Sequence, residues 1–515
     1  MLIEGIRGTG KTHMLKMIAS KCIDCYPEEK ILPVYVSLSQ LSEWYDVDLP
    51  LFRIHLYANI VNETILTIER DKDKIQFESK GIEKALRMIK SMFGVNSKDD
   101  INEILKKIKY INEKLLSDLT YNKEMIRGKI TQEVETTAKL GSTAKCDIGQ
   151  SGIKGSLSCD AASQNKEKSI EEQEIEYIGK TLAYENASLF IIEFFKQLKE
   201  ILGSKYVLLL LDECSEPTPE AQIEIFRLLK LIRGSASGME MNYVYFYASV
   251  YPPYATKYPS KIHGNPFDFE PGNDADVEYL QLDELTEEYE KFFIALTRKR
   301  LEFVLGREIL TPINEIFETE SAFILAAYAA NGIPRRYLQI LKQGYDNLWQ
   351  RADPSSSSRR ISLRDIEGAI QIIASNQILT QHRLQDKDIM IIDELIQRIG
   401  KRNRKTETEN KGKDAPLPSN VYFTIARMQF KELNNLLLQG CVHDKGRTRQ
   451  KKYYRETGST GPLLMLDLAI AYQSGAINRA RAPSIFKTDL KDNAKAGYKY
   501  CHDFNLDEFE YKNLI

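Results

Sequence analysis

A chain of 515 residues, 43% hydrophobic and 28% charged, is too long for one core and reads as an ordinary globular protein of about three domains. Its net charge of −2 excludes a uniformly basic or acidic binder, so a charged partner has to be sought segment by segment. No apolar run reaches the roughly eighteen residues that span a bilayer, and a phosphate-loop pattern follows Met1 almost at once; this predicts no signal peptide, no membrane partner and a cytoplasmic location.

In chain order, Leu2-Ile3 predicts a short apolar strand that runs into Gly5-Ile6-Arg7-Gly8-Thr9-Gly10-Lys11-Thr12. The pattern is that of a phosphate-binding P-loop, two glycines five apart followed by Lys and Thr. Gly5, Gly8 and Gly10 let the backbone turn tightly, so that its N–H groups, with that of Thr9, approach phosphate oxygens. Lys11 is positioned to reach the β- and γ-phosphates and Thr12 to ligate magnesium, with a helix from His13 to Ser20 turning its N-terminus to the anion. ATP and Mg²⁺ are therefore the expected ligands. Seven scattered cysteines suit a reducing compartment, and the lone Cys22-x-x-Cys25 pair has no second pair at zinc-like spacing and reads as structural.

Ile31 to Leu38 is β-rich and apolar and predicts a second core strand. Leu51 to Phe93 looks helical, and Ile101, Ile104, Leu105, Ile108, Ile111, Leu115 and Leu119 keep a helical stripe on a Lys/Glu-rich background. From Gly128 to Ser169 the chain is rich in Gly, Ser, Thr, Ala and Lys with few large apolar side chains, which predicts a mobile loop or thin ribbon at the tip of a helical insertion. Helix returns at Ile175 to Leu202. Tyr206 to Leu211 is a continuous apolar run ending in Asp212-Glu213, the pattern of a central parallel strand with acids at its carboxyl end, where open α/β sheets bind ligands. In this Walker B form Asp212 holds the magnesium hydration shell and Glu213 polarises the attacking water. Lys11 and Asp212 are 201 positions apart, whereas two βα units need only about 60–80 residues, so the excess is the insertion.

Asn242 to Val250 predicts a further strand ending near Ser249, a candidate γ-phosphate sensor, and Val277 to Leu282 a fifth. Helices follow at Glu284 to Leu305 and Ala322 to Ala330, and then Asn331-Gly-Ile-Pro-Arg-Arg-Tyr-Leu338, a Gly/Pro-started helix with arginine in its first turn.

With GIRGTGKT at 5–12, LLLLDE at 208–213, the strand ending at Ser249 and the G-x-P-R pattern from Gly332 to Arg335, the chain resembles AAA+ ATPases of the origin-recognition (ORC/CDC) type and their prokaryotic relatives. The resemblance covers about residues 1–40 and 200–380. It implies that the last motif is sensor 2, whose arginine reaches the nucleotide phosphates from a helical lid: Arg335, with Arg336 as the fallback. Two departures stand out. Only four residues precede Gly5, where such proteins have a segment that helps hold the adenine; either the start is misassigned or the lid alone holds the base. No arginine occurs between Arg233 and Arg298, the region of the arginine finger, and Lys257 or Lys261 would replace it only imperfectly because lysine lacks the bidentate fork. Slow turnover or a switch is the expectation.

In the last third, Pro354 and the serines at 355–358 mark a loop before a helix from Leu363 to Ala374, and Lys401 to Asn420 reads as a charged linker. Phe430 to Leu438 predicts a helix, Gly440 its stop, and a strand follows; the basic run from Lys445 to Arg455 precedes another strand at Leu463 to Leu468. Helix, strand, basic loop and strand is a winged-helix arrangement, which ORC-type proteins carry after the lid. Residues 401–500 hold twenty Lys/Arg against nine Asp/Glu, a net of +11 that leaves −13 for the rest. Arg447, Arg449, Lys451 and Lys452 are the candidate phosphate contacts on double-stranded DNA, with Phe430 to Leu438 facing base edges.

The expected fold is α/β: a P-loop AAA+ core with a parallel sheet (1–49 and 190–283), a large mainly helical insertion (50–189, tip 128–169), a helical lid (284–385), and a linker with a C-terminal winged-helix-like domain (386–515). The function this implies is an ATP-binding, slowly hydrolysing regulator on DNA, with Lys11, Glu213 and Arg335 as its catalytic residues. The rival is a STAND-like signalling ATPase that recruits an effector protein through the insertion, with antiphage defence as a setting by family analogy. Self-association is left open by the sequence.

Overall fold

The computed structural model describes residues 1–44, 49–75, 187–234, 243–351, 360–379, 384–411, 417–450 and 460–509. The helical stripe at 101–119, the 128–169 segment, the 354–358 loop, Lys451 and Lys452 lie outside the described residues. The chain divides into two compact units. One comprises Met1–Ile3, Thr12–Val250 and Thr256–Glu278; the other comprises Glu4–Lys11, Tyr251–Ala255 and Tyr279–Ile515.

The first unit is built on a five-stranded parallel sheet of order β2-β3-β4-β1-β5, which bears out the α/β expectation. In chain order its elements are β1 (Leu2–Glu4), α1 (Lys11–Asp24), β2 (Ile31–Ser37), α2 (Leu49–Arg70), α3 (Ala187–Leu202), β3 (Tyr206–Asp212), α4 (Pro219–Gly234), β4 (Val244–Val250) and β5 (Val277–Tyr279). β3 lies between β2 and β4, and Val207, Leu209, Leu210 and Leu211 are fully buried, the condition of a strand covered on both faces. In register Ser37 lies beside Asp212 and Ala248 beside Leu211, so the polar ends of β2, β3 and β4 come together at one edge of the sheet.

The core sequence extends beyond residue 49. Phe52, Leu56, Tyr57, Ile60, Val61, Ile65 and Ile68 of α2 share one apolar cluster with the sheet strands, α3 and α4. Arg53 Nε stands 2.8 Å from Glu224 Oε2 and the Tyr57 hydroxyl donates to Glu224 Oε1 at 3.0 Å, a buried pair that fixes α2 on α4. Residues 49–75 thus pack their apolar stripe into the core of this unit; the rest of the predicted insertion lies largely outside the described residues.

The second unit carries α5 (Glu288–Leu305), α6 (Glu320–Ala329), α7 (Pro334–Arg351), α8 (Leu363–Ile373), α9 (Asp386–Glu409), β6 (Tyr422–Thr424), α10 (Asn434–Leu438), β7 (Val442–Gln450), β8 (Thr460–Leu466), α11 (Leu468–Gln473) and β9 (His502–Asp503). Its sheet has the order β7-β8-β6-β9, antiparallel at β7/β8 and β6/β8 and parallel at β6/β9. One apolar core runs from Tyr289 and Phe293 of α5 through α6–α9 to Leu464 of β8 and Phe504, so the predicted lid and C-terminal domain share an interior.

Two C-terminal expectations are corrected. Residues 401–409 are the last turns of α9, not a linker: Ile391, Ile392, Leu395, Ile399, Gly400 and Asn403 form its buried stripe, and Asn403 Nδ2 donates to the carbonyls of Asn420 and Ala476 at 3.0 and 2.9 Å. A charged sequence conceals this helix because its buried side is narrow and includes Gly and Asn. The helix expected over 430–438 is a 3₁₀ turn, Arg427–Leu433, followed by the five-residue α10, whose Leu436 and Leu437 are buried. Gly440 ends it with φ of +70°.

Candidate nucleotide site

The P-loop lies in the second unit as far as Lys11. Gly8 and Gly10 have φ of +90° and +101°, where a Cβ is disfavoured. A Cβ on Gly8 would come within 2.9 Å of Ile333 Cγ2 and 3.2 Å of Arg335 Cβ, whereas one on Gly10 would meet nothing within 4 Å. The loop is therefore packed tightly at Gly8 and open at Gly10. Arg335 N–H, in the first turn of α7, donates to the Gly8 carbonyl at 3.3 Å. Lys11 Nζ donates to the carbonyls of Gly5 and Ile6 at 2.6 and 3.2 Å and stands 4.5 Å from the centre of the Tyr251 ring, whose hydroxyl accepts from Arg7 Nε at 2.9 Å. Thr9 is buried with its hydroxyl donating to the Ile6 carbonyl at 3.0 Å, so that side chain braces the loop from within. Glu4, just ahead of Gly5, is buried; that desolvation, with Asp444 adding to it and Lys11 opposing, pushes its carboxyl up to about 7.

Arg335 and its neighbour diverge. Arg335 is exposed, and no carboxylate pairs with it among the described residues. Arg336 is buried and forms an ion pair with Asp467. Asp467 Oδ2 also faces His443 Nε2 at 2.9 Å, and its Oδ1 accepts from Ala469 N and Ile470 N at 3.0 and 3.1 Å, capping α11. Burial lowers the His443 pKa in spite of Asp467; neutral His443 donates from Nε2 to the carboxylate, so its Nδ1 accepts from Gln281 Nε2 at 3.0 Å. Burial alone would raise Asp467, but Arg336 and His443 overcome it and hold the carboxyl below its ordinary value. Arg336 is consumed in this network, which removes it as the fallback for sensor 2.

In the first unit the acids stand at the carboxyl end of β3. Asp212 is 1% exposed; its Oδ1 accepts from the Ser249 hydroxyl at 2.5 Å and from Glu213 N at 3.1 Å, and its Oδ2 accepts from the Tyr35 hydroxyl at 2.9 Å. Burial and then Asp212 raise the Tyr35 pKa, keeping that hydroxyl a donor. Glu213 has φ of +66°, a left-handed conformation that costs a non-glycine residue about 1 kcal/mol or more. Its N–H reaches Ser249 Oγ at 2.8 Å, and its Oε2 accepts from the Ser37 hydroxyl at 3.2 Å. The strained peptide is held by these contacts. Ser249 is fully buried and its hydroxyl donates to Asp212, so it orients the acids.

The oxygen donors fit magnesium, a hard cation: the Thr12 hydroxyl is exposed in the first turn of α1, and Asp212 receives only neutral donors that leave its charge intact. Tyr35, Ser37 and Tyr251 were missed by motif reading; the signal for the first two was the alternation along β2, which turns 35 and 37 to the same face at the end of a strand.

At the C-terminal hairpin, Arg447 and Arg449 lie on β7, Arg449 paired in register with Gly461. Lys445, the first residue of the basic run, is withdrawn from it: Nζ is 2.6 Å from the buried Glu284 Oε2, whose other oxygen accepts from Tyr422 at 3.0 Å.

No family model matches the chain, and no curated protein does. Among solved structures it is similar to the Aeropyrum pernix ORC1 protein in complex with DNA, at 11% identity over 96% of this chain and 87% of that one, with a TM-score of 0.30. That likeness is too loose to transfer a function. No described helix is long and apolar enough to cross a membrane.

Proposed function

We propose that the chain is an AAA+ type ATPase that binds Mg·ATP, hydrolyses it slowly and acts as a nucleotide-driven switch on duplex DNA. The observation that carries the reading is the seating of α7 on the P-loop, through Arg335 N–H to the Gly8 carbonyl. It brings an exposed, unpaired arginine to the phosphate loop, where it would sense the presence of a γ-phosphate. Gly5, Gly8, Thr9 and Gly10 would offer backbone N–H groups to the phosphates, and Lys11 would leave its loop carbonyls to reach them. Thr12 and Asp212 would hold Mg²⁺, which when bound neutralises phosphate charge. Glu213, aimed by Ser249 and Ser37, would accept the proton of the attacking water. Movement of α7 would pass to the C-terminal sheet through Arg336–Asp467 and the shared core. The net +11 of residues 401–500 supports a DNA backbone contact, with Arg447, Arg449, Lys451 and Lys452 as the hairpin candidates. Base reading by the 430–438 segment is dropped, since a five-residue helix with buried leucines has no face to lay in a groove.

Glu213→Gln and Arg335→Ala test the reading. The first should keep Mg·ATP affinity and lose turnover by about 10²–10⁴-fold; the second should weaken ATP more than ADP, with an unchanged melting temperature. Wild-type hydrolysis in Glu213→Gln would remove the assigned base, and equal effects on ATP and ADP would remove the sensor role of Arg335.

A further inference from the structure

The basic excess of the C-terminal region has a second location that the linker reading hid. α9 presents Lys401, Arg402, Arg404 and Lys405, all exposed, within a roughly 160° arc of helix surface, while Ile399, Gly400 and Asn403 face the core from the opposite arc. Arg398 lies on the same basic side.

This face is unlike the other charged helix faces of the unit. Several exposed cations elsewhere have an acid one turn away, as with Lys342 and Asp346 on α7 at 3.0 Å or Arg398 and Glu394 on α9 at 2.7 Å. Lys401 has Arg398, Arg404 and Lys405 at i−3, i+3 and i+4, and Arg402 has Arg398 and Lys405 at i−4 and i+3. Like charges at these spacings destabilise a helix. No carboxylate pairs with Lys401, Arg402 or Arg404 among the described residues; Lys405 reaches only Glu409, at 3.8 Å. The helix dipole does not account for the cluster, because the last turn of α9 carries Glu407 and Glu409 and no base.

The flanks continue the same sign. The 476–481 segment lies against α9 through Asn403 Nδ2 to the Ala476 carbonyl and contributes Arg479, while its Arg481 is paired with Glu407 at 3.8 Å and Asp489 at 3.5 Å. On the other flank Arg402 Nη1 is 3.4 Å from His502 Nδ1 and its guanidinium stacks over Phe504 at 5.3 Å; burial, with Arg402 beside it, lowers His502 to about 4, so the ring adds no charge. Arg402 is held in place by these contacts, and Arg404 lies back along the helix over Gly400, with Lys401 and Lys405 exposed beside it. A convex, self-repelling basic ridge on a helix fixed to the core suits a rigid polyanion whose charges repeat along a line.

We propose that the exposed face of α9 at Lys401, Arg402, Arg404 and Lys405 is a second contact for the phosphate backbone of duplex DNA, separate from the β7–β8 hairpin. The inference rests on the DNA part of the proposed function and assigns to α9 a share of the binding that was given there to the hairpin. The contact reads backbone charge and carries no base preference.

The test uses the full chain and a fluorescent duplex of mixed sequence, with anisotropy titrations from 50 to 300 mM salt. Lys401→Gln/Arg404→Gln/Lys405→Gln removes three charges from exposed residues and leaves Arg402 on Phe504. We expect the slope of log affinity against log salt to fall by about 2.7, on the order of a hundredfold in affinity near 0.15 M salt. The melting temperature should be unchanged or higher, because like-charge repulsion is relieved. The charge-keeping variant Lys401→Arg/Arg404→Lys/Lys405→Arg should bind as wild type. Wild-type affinity and slope in the Gln variant, with binding lost when Arg447, Arg449, Lys451 and Lys452 are replaced by alanine, would overturn the α9 contact and leave the hairpin reading standing. Loss of binding in the charge-keeping variant would overturn it too. Absence of wild-type duplex binding at 50 mM salt would instead remove the DNA reading, and this inference with it.

Discussion

Asp212 and Asp467 are both almost fully buried, one in each unit, and both accept several hydrogen bonds, but their donors differ in charge. Asp467 receives the Arg336 guanidinium, a neutral imidazole and two helix N–H groups, so its charge is cancelled where it sits. Asp212 receives two hydroxyls and a peptide N–H, which satisfy its oxygens and leave its charge uncompensated within its own unit. A buried carboxylate costs several kcal/mol unless something opposite in sign approaches. The first arrangement is electrically closed and holds the fold together; in the second the carboxylate meets only uncharged donors among the described residues. Burial is alike in the two, with four donors on Asp467 and three on Asp212, and it is the charge of the donors that separates them.

The comparison breaks most visibly at Asp467. Asp467→Ala would leave Arg336 buried without its anion and α11 without its cap, and should cost about 3–5 kcal/mol in urea unfolding. A loss under 1 kcal/mol would show that the pair is not closed as described. Ser249→Ala is the matching cut at Asp212. It removes one bond to the carboxylate and one that holds the strained Glu213 peptide, so stability should fall by about 1.5–3 kcal/mol and turnover should fall with it. Turnover at the wild-type rate would mean that Ser249 does not orient Glu213.

A smaller effect sharpens the comparison with a third acid. Glu4 is buried with no cation strong enough to hold it ionised, and its pKa rises from 4.5 to about 7. The native state therefore binds the extra proton between those values. The stability this confers is complete below pH 4.5 and is lost as pH rises through 7. Glu4→Gln should match wild type near pH 4.5 and be more stable by about 1–2 kcal/mol at pH 8, with solvent screening included. A difference independent of pH would contradict this account of Glu4.

What the sequence disclosed follows from how each element is buried. β3 was legible because a central parallel strand is covered on both faces and Val207 to Leu211 has no polar interruption. The P-loop was legible because glycine and lysine spacing is local. α9 was read as a linker because Gly400 and Asn403 occupy core positions between charged residues, so composition outweighed period. The opposite fates of Arg335 and Arg336 could not be read from adjacent codons; the partner that claims Arg336 is 131 positions away. Lys445 was counted with a basic run for the same reason, its partner Glu284 being 161 positions distant. Tyr35 and Ser37 carry no motif; Ser37 lies in register beside Asp212 and the Tyr35 hydroxyl donates to Asp212 Oδ2 at 2.9 Å, contacts that only the pairing of β2 with β3 brings about.

The most direct test of the central claim is calorimetric titration of Mg·ATP into the wild-type chain and into Lys11→Ala. Lys11 donates to the carbonyls of Gly5 and Ile6 and lies over the Tyr251 ring, and the melting temperature of Lys11→Ala is measured beside the titration so that loss of binding is read from folded protein. The account predicts saturable binding at one site per wild-type chain, a steep loss of affinity when magnesium is chelated, and no measurable binding by the folded variant. Equal affinity of wild type and Lys11→Ala for Mg·ATP would contradict it.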